Sequence, residues 1–415
     1  MTDSNPDLPV RHIPRRLPRW SEVRDLLRFR RFELDGRRRR LARAHTIEDL
    51  RVLARRRVPR AVFDYVDGAA EREITLGRAR AAFEALTFHP RVLRDVSSVD
   101  ASTQILGGPA ALPLVLAPTG FTRMMNHEGE PAVARAAARA GVPYALSTVG
   151  TTGPEELRGF APDARHWFQL YVWTDREASE ALVERVDAAG YEAVMLTVDT
   201  PIGGARMRDV RNGLTIPPSL TLKTFLGMAA RPAWWFDVLT TEPLRFAALS
   251  SFDGTVEELI GKMFDPTLTF EALDWLRERW PRKLVVKGVQ TVADAVLMAD
   301  HGVDAIVLSN HGGRQLDRTR PPLLLLPEVL EAVGDRCEVM IDGGVRTGAD
   351  LAAARALGAS AALVGRGYLY GLMAAGEQGV DRVLELLRSD YVRTLQLLGA
   401  RSTGELGPEF VSLGR

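Results

Sequence analysis

A histidine and an arginine stand three residues apart in the glycine-rich segment SNHGGRQLD, residues 309–317. A guanidinium can hold a carboxylate through two parallel hydrogen bonds, while an imidazole can take a proton from a neighbouring hydroxyl. Because the two glycines between them allow a sharp turn, His311 and Arg314 can converge on one small anion. The alternative is a loop histidine that faces solvent. We interpret the segment as a catalytic site with His311 as its base.

Three further polar side chains lie in or directly after apolar runs and could join this pair. Asp199 comes directly after AVMLTV (193–198), where a carboxylate can hold a catalytic histidine in the right tautomer and stabilise its cation. A helix cap or a turn is the alternative for Asp199. Gln169 and Tyr171 alternate along another run, so they point to the same side of a strand. If that side is a barrel interior, both reach the site, although packing alone is the alternative for Tyr171.

Positive charge and glycine-rich turns mark the ends of three other runs. Lys287 ends the run KLVVK, and a lysine buried there is costly unless paired, so we expect an anionic partner. A Schiff base with a carbonyl substrate is its competing use. DGGVR (342–346) and GRG (365–367) are turns whose backbone N–H groups, together with Arg346 and Arg366, can bind a phosphate. Simple turn glycines are the alternative there.

Short apolar runs precede these functional segments, and each is followed by a turn and a helical pattern. Continuous apolar runs of this length are typical of strands buried on both faces of a parallel sheet. Their starts recur roughly every 20–35 residues, which is one strand–helix unit each. The pattern predicts an α/β fold, a (β/α)8 TIM barrel with its functional groups after the strands. The runs are Leu112–Ala117, Val142–Ser147, Trp167–Val172, Ala193–Val198, Lys283–Lys287, Ala305–Ser309, Glu338–Ile341 and Ala361–Val364.

A doubly wound sheet is the alternative fold. No G-x-G-x-x-G sequence follows any of the apolar runs, which weighs against a dinucleotide fold. Ala-rich segments at 130–140, 176–189 and 348–357 predict helices that end at glycine. Ahead of the barrel, residues 46–58 begin with a Thr-x-x-Asp capping pattern and predict a further helix.

The spacing of the runs breaks once, between the fourth and the fifth. Residues 203–269 therefore form a long insertion, which at the carboxyl end of a strand lies over the active-site face. We divide the chain into a basic N-terminal extension (1–45), a barrel (46–400) that contains this insertion, and a C-terminal tail (401–415).

Composition excludes several classes of function. The net charge of the 415 residues is +1, so there is no global electrostatic case for nucleic acid. The single cysteine, Cys337, rules out an internal disulfide and a multi-thiolate metal site. No apolar stretch is long enough for a membrane span, and the N-terminus has no apolar segment of a secretory signal. We expect a cytoplasmic protein without a metal.

Two features nevertheless point to contact with a membrane surface. Residues 1–60 contain eighteen arginines and eight acids, and Trp234, Trp235 and Phe236 are adjacent in the insertion. Adjacent tryptophans favour the interfacial zone of a bilayer, and arginine clusters are drawn to anionic lipid. We expect the protein to be peripheral on the inner face of the cytoplasmic membrane. The alternative is that the aromatic residues pack over the barrel mouth or at a subunit contact.

Taken together, the motifs resemble the family of FMN-dependent L-2-hydroxy acid oxidases and dehydrogenases. Glycolate oxidase, lactate oxidase and the flavin domain of flavocytochrome b2 are members, and the whole chain is most similar to bacterial quinone-linked L-lactate dehydrogenases. The resemblance runs from about residue 45 to 400, and SNHGGRQLD is its most specific part. Besides the segments above, it rests on YVDGA (65–69), APTG (117–120), FQLY (168–171), LTVDTP (196–201) and VKG (286–288).

The resemblance implies an FMN enzyme that oxidises a small L-2-hydroxy acid, L-lactate first, to the 2-oxo acid. It implies that His311 is the base with Asp199 behind it, and that Tyr171 contacts the reacting hydroxyl. The substrate carboxylate would be held by Tyr65, Arg206 and Arg314. Lys287 would stabilise negative charge on the reduced flavin. The implied flavin contacts are Pro118, Thr119, Gly120, Ser147, Gln169, Thr197, Lys287, Ser309, Asp342, Gly344, Arg346, Gly365 and Arg366.

Two positions depart from relatives and leave alternatives open. Gly120 stands where short-chain oxidases often have alanine, so re-oxidation by quinone, oxygen or another carrier stays open. Val149 stands where glycolate oxidase has tryptophan, so the preferred hydroxy acid stays open as well. The family also implies a homo-oligomer, a tetramer. The competing functions are a peptide-modifying enzyme of the mycofactocin-maturation type, a non-redox FMN barrel such as isopentenyl diphosphate isomerase, and a catalytically silent flavin-binding scaffold.

Overall fold

The computed structural model describes residues 15–24, 27, 33–213, 227, 229–244, 247 and 264–414. The chain forms two compact units, Met1–Arg40 and Leu41–Arg415. The predicted N-terminal extension and the predicted insertion are thus described only in part. Residues 1–14, 25–26 and 28–32 of the extension lie outside the described ranges, as do residues 214–226, 228, 245–246 and 248–263 of the insertion. The barrel lies entirely in the second unit.

Eight parallel strands close into a barrel in the order β7-β8-β1-β2-β3-β4-β5-β6. Each strand lies in or overlaps one of the predicted apolar runs, so the predicted TIM barrel is confirmed. Their residues are almost all buried, as expected for strands covered on both faces. The strands are β1 (Leu114–Leu116), β2 (Tyr144–Ser147), β3 (His166–Leu170), β4 (Ala193–Thr197), β5 (Lys283–Val289), β6 (Ala305–Leu308), β7 (Glu338–Asp342) and β8 (Ala362–Val364).

Helices surround the barrel and precede it. The predicted cap at Thr46 is confirmed: its side chain accepts from the Asp49 backbone N–H at 3.1 Å, and Asp49 accepts from Thr46 N–H at 3.0 Å. The described helices are Trp20–Arg24, Gly36–Leu41, Ile47–Arg57, Arg60–Asp67, Ile74–Glu84, Thr122–Met125, Gly129–Ala140, Pro154–Phe160, Arg176–Ala188, Met207–Arg211, Pro232–Leu239, Glu271–Arg279, Val292–Asp300, Pro322–Val333, Gly348–Ala356, Arg366–Ala375 and Glu377–Leu398.

The interior of the barrel changes from apolar to polar along the strands. A hairpin of Thr103–Ile105 and Gly108–Ala110 packs its apolar side chains with the lower interior residues, including Trp167 and Met195. Because side chains alternate along a strand, the next interior positions towards the carboxyl ends follow two residues later. They are the buried polar side chains of Ser147, Gln169, Thr197, Lys287, Ser309 and Asp342.

A short antiparallel pairing joins the segment ahead of the first barrel strand to the C-terminal segment of the second unit. The short strand Thr87–Phe88 pairs antiparallel with Val411–Ser412, and Phe410 is buried next to it. These two-residue pairings were not predicted. Among the helices that the structure describes, none combines the length and the apolarity needed to cross a membrane.

Candidate active site

The carboxyl ends of β4 and β6 bring Asp199 and His311 into contact. His311 Nδ1 lies 3.0 Å from Asp199 Oδ1, and only 2% of the Asp199 side chain is exposed. Burial by itself would raise the pKa of Asp199, but the adjacent His311 and the positive charge of Lys287 hold that pKa below its ordinary value. Since a carboxylate only accepts hydrogen bonds, Nδ1 donates, and the Nε2 lone pair remains able to take a proton.

The loop that carries His311 has an uncommon backbone. His311, Gly312 and Gly313 are consecutive left-handed residues, with φ of 55°, 62° and 76°. That conformation is open to glycine but costs a histidine roughly 1–2 kcal/mol. Side chains within the loop support it, because His311 N–H donates to Ser309 Oγ at 3.0 Å and Gly313 N–H donates to Asn310 Oδ1 at 3.2 Å. The orientation of the imidazole is therefore imposed by the loop.

Two arginines meet at the ring of Tyr65. The guanidinium carbons of Arg314 and Arg206 lie 4.9 Å and 5.3 Å from the ring centre. Burial and the neighbouring positive charge of Arg206 lower the pKa of Arg314 to about 10. Two cations at one place repel each other, so an anion between them would be stabilised. Tyr65, Arg206 and Arg314, predicted from motifs far apart in the sequence, form one potential carboxylate clamp.

Tyr171 belongs to the same cluster. Burial, followed by the negative charge of Asp199, raises the pKa of Tyr171 above its ordinary value, while Arg314 and Arg206 act in the opposite direction. The phenol therefore stays protonated at neutral pH and can donate a hydrogen bond. Its ring packs edge-on against Phe264, with centres 5.8 Å apart.

Sequence reasoning missed Asp209, a buried carboxylate beside the clamp. Its Oδ2 lies 3.4 Å from Arg206 Nε. Burial raises the pKa of Asp209, against the lowering effect of Arg206 and Arg314. The only available signal was its position three residues after Arg206 at the start of a helix, where the two side chains share one face.

The anionic partner predicted for Lys287 is Asp342. Lys287 Nζ lies 3.1 Å from Asp342 Oδ2 and donates to Ser309 Oγ at 2.9 Å. Burial lowers the pKa of Lys287, but the carboxylates of Asp342 and Asp199 outweigh it and raise the pKa above its ordinary value. A permanent positive charge therefore lies in the barrel mouth.

Several buried polar atoms around this lysine have no hydrogen-bond partner within the described residues. They include Gln169 Nε2, Thr197 Oγ1 and Asp342 Oδ1. Ser147 Oγ donates to Gln169 Oε1 at 3.0 Å, which fixes the amide and leaves its N–H groups unpaired. An unsatisfied buried polar group costs roughly 1–3 kcal/mol. The mouth therefore suits a bound ligand that offers both donors and acceptors along one edge.

The segment after β1 borders the loop after β2. Thr119 Oγ1 and Tyr368 Oη are 2.5 Å apart, and the Tyr368 hydroxyl donates to the Ala117 carbonyl. A Cβ on Gly120 would lie only 2.4 Å from Val149 Cγ2. The two positions that depart from relatives are thus direct neighbours, and alanine at 120 would require Val149 to move.

The turns DGGVR (342–346) and GRG (365–367), predicted to bind a phosphate, offer backbone N–H groups, while their arginines already have partners within the protein. Gly365 caps the helix Arg366–Ala375 without a side-chain hydrogen bond, which leaves N–H groups of its first turn available to an anion. Arg346 pairs with Glu48 at 3.2 Å. A Cβ on Gly344 would lie 2.5 Å from the Ala79 carbonyl oxygen, so the turn packs closely on a helix.

Arg366 connects the YVDGA segment (65–69) to the loop that carries His311. It donates to the carbonyls of Val66 at 2.8 Å, Gly68 at 2.7 Å and Gly312 at 2.8 Å. Arg314 adds a bond of 2.5 Å to the Tyr65 carbonyl. The Tyr65, Val66 and Gly68 carbonyls lie at the end of the helix Arg60–Asp67, where cations are stabilised by the helix dipole, whereas Gly312 belongs to the loop of His311. Both arginines therefore hold Tyr65 against the loop of His311.

The chain matches a known protein family over most of its length. Residues 54–413 match the family of FMN-dependent dehydrogenases. The chain belongs to that family. This FMN-dependent dehydrogenase is 54% identical over 400 residues to a Mycobacterium tuberculosis protein named "Putative L-lactate dehydrogenase", covering 96% of this chain and 97% of the relative. It is 42% identical over 366 residues to L-lactate dehydrogenase of Caulobacter vibrioides, covering 86% and 95%.

A solved structure gives the same result. The monotopic membrane protein (S)-mandelate dehydrogenase superposes with a TM-score of 0.86 at 38% identity, over 89% of this chain and 100% of that chain. The mouth of the dehydrogenase also fits FMN chemically. The unpaired atoms of Gln169, Thr197 and Asp342 match the alternating donors and acceptors of a flavin ring, and Lys287 supplies a cation beside them. In the described part of the chain, no cluster of three acidic, histidine or cysteine side chains could hold a metal.

Proposed function

We propose that this dehydrogenase oxidises a small L-2-hydroxy acid, with L-lactate as its principal substrate, to the 2-oxo acid. The observation that carries the proposal is the cluster of one histidine–carboxylate pair and two arginines. It offers a base and a carboxylate clamp within one site. Similarity to proteins named L-lactate dehydrogenase supports the choice of substrate.

Each side chain then has a defined task. Arg314 and Arg206 bind the substrate carboxylate, since their mutual repulsion is relieved by an anion. His311 Nε2 takes the hydroxyl proton, and Asp199 stabilises the imidazolium that results. Tyr171 donates to the hydroxyl oxygen. When bound, FMN would accept the hydrogen of carbon 2 together with the two electrons, so that loss of the hydroxyl proton to His311 leaves the 2-oxo acid.

We assign the cofactor to the mouth residues and the two late turns. Lys287 provides positive charge beside the flavin ring, and the turn residues serve its phosphate end. The residues that would hold FMN are Pro118, Thr119, Gly120, Ser147, Gln169, Thr197, Lys287, Ser309, Asp342, Gly344, Arg346, Gly365 and Arg366.

Anaerobic titration of the yellow protein tests the function. L-lactate should bleach the flavin absorbance, whereas D-lactate at the same concentration should not, because the clamp and the base fix the handedness of the carbon between them. Glycolate and (S)-mandelate extend the series to smaller and larger side chains. Denaturation should release FMN. If no L-2-hydroxy acid bleaches the flavin, the proposed function is wrong.

His311→Gln provides the matched control for that titration. The variant should retain FMN and still bind L-lactate, but reduction should slow by about 10²–10⁴-fold, the usual contribution of a general base. Near-normal reduction in His311→Gln would mean that another group removes the proton.

We propose that the enzyme works at a membrane surface as a homotetramer, on the inner face of the cytoplasmic membrane, with a quinone as electron acceptor. In the helix Pro232–Leu239, Phe236 and Leu239 are 69% and 74% exposed. Trp234 is instead buried, and its Nε1 donates to the Met124 carbonyl at 2.8 Å, so it packs as the alternative interpretation expected. The structural relative (S)-mandelate dehydrogenase is a monotopic membrane protein, and exposed aromatic and leucine side chains suit a lipid interface.

Sedimentation with anionic and neutral liposomes tests the surface contact. Wild type should pellet with anionic liposomes at low salt and less at moderate salt. Phe236→Ser/Leu239→Ser should pellet less, whereas Val92→Ser/Leu93→Ser, a similarly exposed apolar pair, should behave as wild type. Failure of wild type to pellet at low salt would refute the contact. Light scattering gives the subunit count, and re-oxidation by a soluble quinone compared with oxygen identifies the acceptor.

A further inference from the structure

Arg208 gathers three carboxylates immediately beside the clamp. It occupies the second position of the helix Met207–Arg211, which begins one residue after Arg206. Its Nη1 lies 3.0 Å from Asp67 Oδ2 and 3.7 Å from Asp64 Oδ1, and its Nη2 donates to Glu73. Asp64 and Asp67 lie on the helix Arg60–Asp67 that carries Tyr65, and Glu73 follows that helix. Arg208 therefore joins the two chain segments that supply the clamp.

Asp67, which pairs with Arg208, is itself held by other side chains. Asp67 accepts from Arg51 Nε at 2.5 Å and Nη2 at 2.9 Å, and from the Tyr370 hydroxyl at 2.9 Å. Only 4% of its side chain is exposed. Burial would raise the pKa of Asp67, but Arg51, Tyr370 and Arg208 lower it to about 2. The carboxylate that Arg208 grips is therefore ionised and fixed by two other elements.

The stem of Arg208 also lies close to the backbone of the motif. A Cβ on Gly68 would be 3.1 Å from Arg208 Cδ, so a side chain at that position would displace it. Glu73 itself is held, because its Oε1 accepts from the Ala69 N–H at 3.0 Å. The side chain of Arg208 is thus enclosed by Gly68 and by the fixed carboxylates of Asp67 and Glu73.

A helix of five residues does not form by itself, because the conformational entropy lost in forming its first turn exceeds the stabilisation from the few hydrogen bonds it makes. Besides Arg208, Asn212 donates to Asp64 at 2.8 Å, and Glu71 N–H donates to the Ala205 carbonyl at 2.8 Å. We propose that Arg208 is a positioning residue that fixes Arg206 against the Tyr65 ring and thereby sets the affinity for the substrate carboxylate. The inference rests on the proposed function, since it concerns the same clamp.

Steady-state kinetics of the FMN-loaded enzyme with L-lactate test it first. Arg208→Met should raise KM by about tenfold, the fold-change for loss of one charge-assisted hydrogen bond, and leave kcat within about twofold. Arg208→Lys should recover part of the loss, since lysine keeps the charge but not the two-point contact. Arg211→Met, an exposed arginine of the same helix, should match wild type.

Binding without turnover separates positioning from a general loss of structure. Calorimetry with oxamate, a carboxylate that is not oxidised, should give the same rise in Kd as in KM. The FMN content of Arg208→Met should stay close to that of Arg211→Met, and its melting temperature should fall by only a few degrees, because Asp67 keeps its bonds to Arg51 and Tyr370. Glu73→Gln should raise KM as well, and its effect should shrink in the Arg208→Met background.

Two outcomes overturn the inference and differ from failure of the function itself. If wild type is reduced by L-lactate but Arg208→Met binds oxamate as tightly as wild type, Arg208 does not position the clamp. Fully additive effects of Arg208→Met and Glu73→Gln would likewise refute the proposed contact. If wild type is not reduced by any L-2-hydroxy acid, the function is wrong, whereas the oxamate comparison still measures the clamp.

Discussion

The contact between Asp199 and His311 gives the sharpest quantitative prediction. Asp199→Asn keeps the size of the side chain but removes its negative charge. The 3.0 Å contact corresponds to charge centres ~4 Å apart, where a partly shielded ion pair is worth about 4 kcal/mol. Because the histidine becomes cationic only as the proton is transferred, that energy is lost mainly from the transition state. We therefore expect the limiting rate of flavin reduction to fall by about 10³-fold.

Substrate affinity should change far less. Arg206 and Arg314 hold the carboxylate, and neither hydrogen-bonds to Asp199, so the Kd for L-lactate should stay within about threefold of the wild-type value. Anaerobic stopped-flow absorbance at increasing L-lactate concentrations yields the limiting rate and the Kd from one data set. Because the pKa of Asp199 lies below its ordinary value, the wild-type carboxylate carries its full negative charge at neutral pH, where wild type and variant are compared.

The reasoning would be refuted by either of two results. Reduction of Asp199→Asn at a rate within tenfold of wild type would show that the carboxylate does not stabilise the histidine cation. A loss confined to Kd would show that Asp199 acts on binding. FMN content and melting temperature of the variant serve as controls, because a buried asparagine also presents an N–H group towards Nδ1.

Three further substitutions follow from buried contacts. Lys287→Met leaves Asp342 charged and unpaired, so it should lower stability by about 3–5 kcal/mol and weaken FMN binding, measured by urea unfolding and by fluorescence of released flavin. Gly288→Ala places a Cβ 2.7 Å from carbon atoms of Asp199, at a residue whose φ is +107°. The free energy of unfolding should therefore fall by more than about 1 kcal/mol, and flavin reduction should become slower. An unchanged free energy of unfolding would contradict this. Asp67, with its pKa lowered to about 2, stabilises the fold above about pH 4 and loses that contribution as pH falls towards 2, so Asp67→Asn should flatten stability against pH over that range by about 2 kcal/mol.

Much of the barrel could be read from the sequence because its signals are local. Each strand is a continuous apolar run, and the capping pattern at Thr46 needs only four neighbouring residues. The clustering of His311, Asp199 and Lys287 could also be expected, because the carboxyl ends of barrel strands share one face.

The remaining features depend on contacts that no local pattern reports. The pairing of Thr87–Phe88 with Val411–Ser412 joins two-residue strands that carry no periodicity. The partners of Arg366 are backbone carbonyls, which have no signature in the sequence. Burial of Trp234 rather than its neighbour Phe236 depends on which face of a short helix meets Met124, and a run of adjacent aromatic residues does not reveal that face.

The bonds that hold Tyr65 in place also determine when the site can exist. Arg314 is 249 residues away from Tyr65 along the chain, and Arg366 is 300 residues beyond Val66. At the usual speed of a ribosome, those 300 residues take roughly 15 to 60 s to synthesise. During that time the helix Arg60–Asp67 is already outside the ribosome, yet its final carbonyls have no partners and β1 has no β8 to pair with. A chain cut short before β8 (Ala362–Val364) therefore lacks both barrel closure and the Arg366 bonds that hold the end of the helix Arg60–Asp67, so its active site is incomplete.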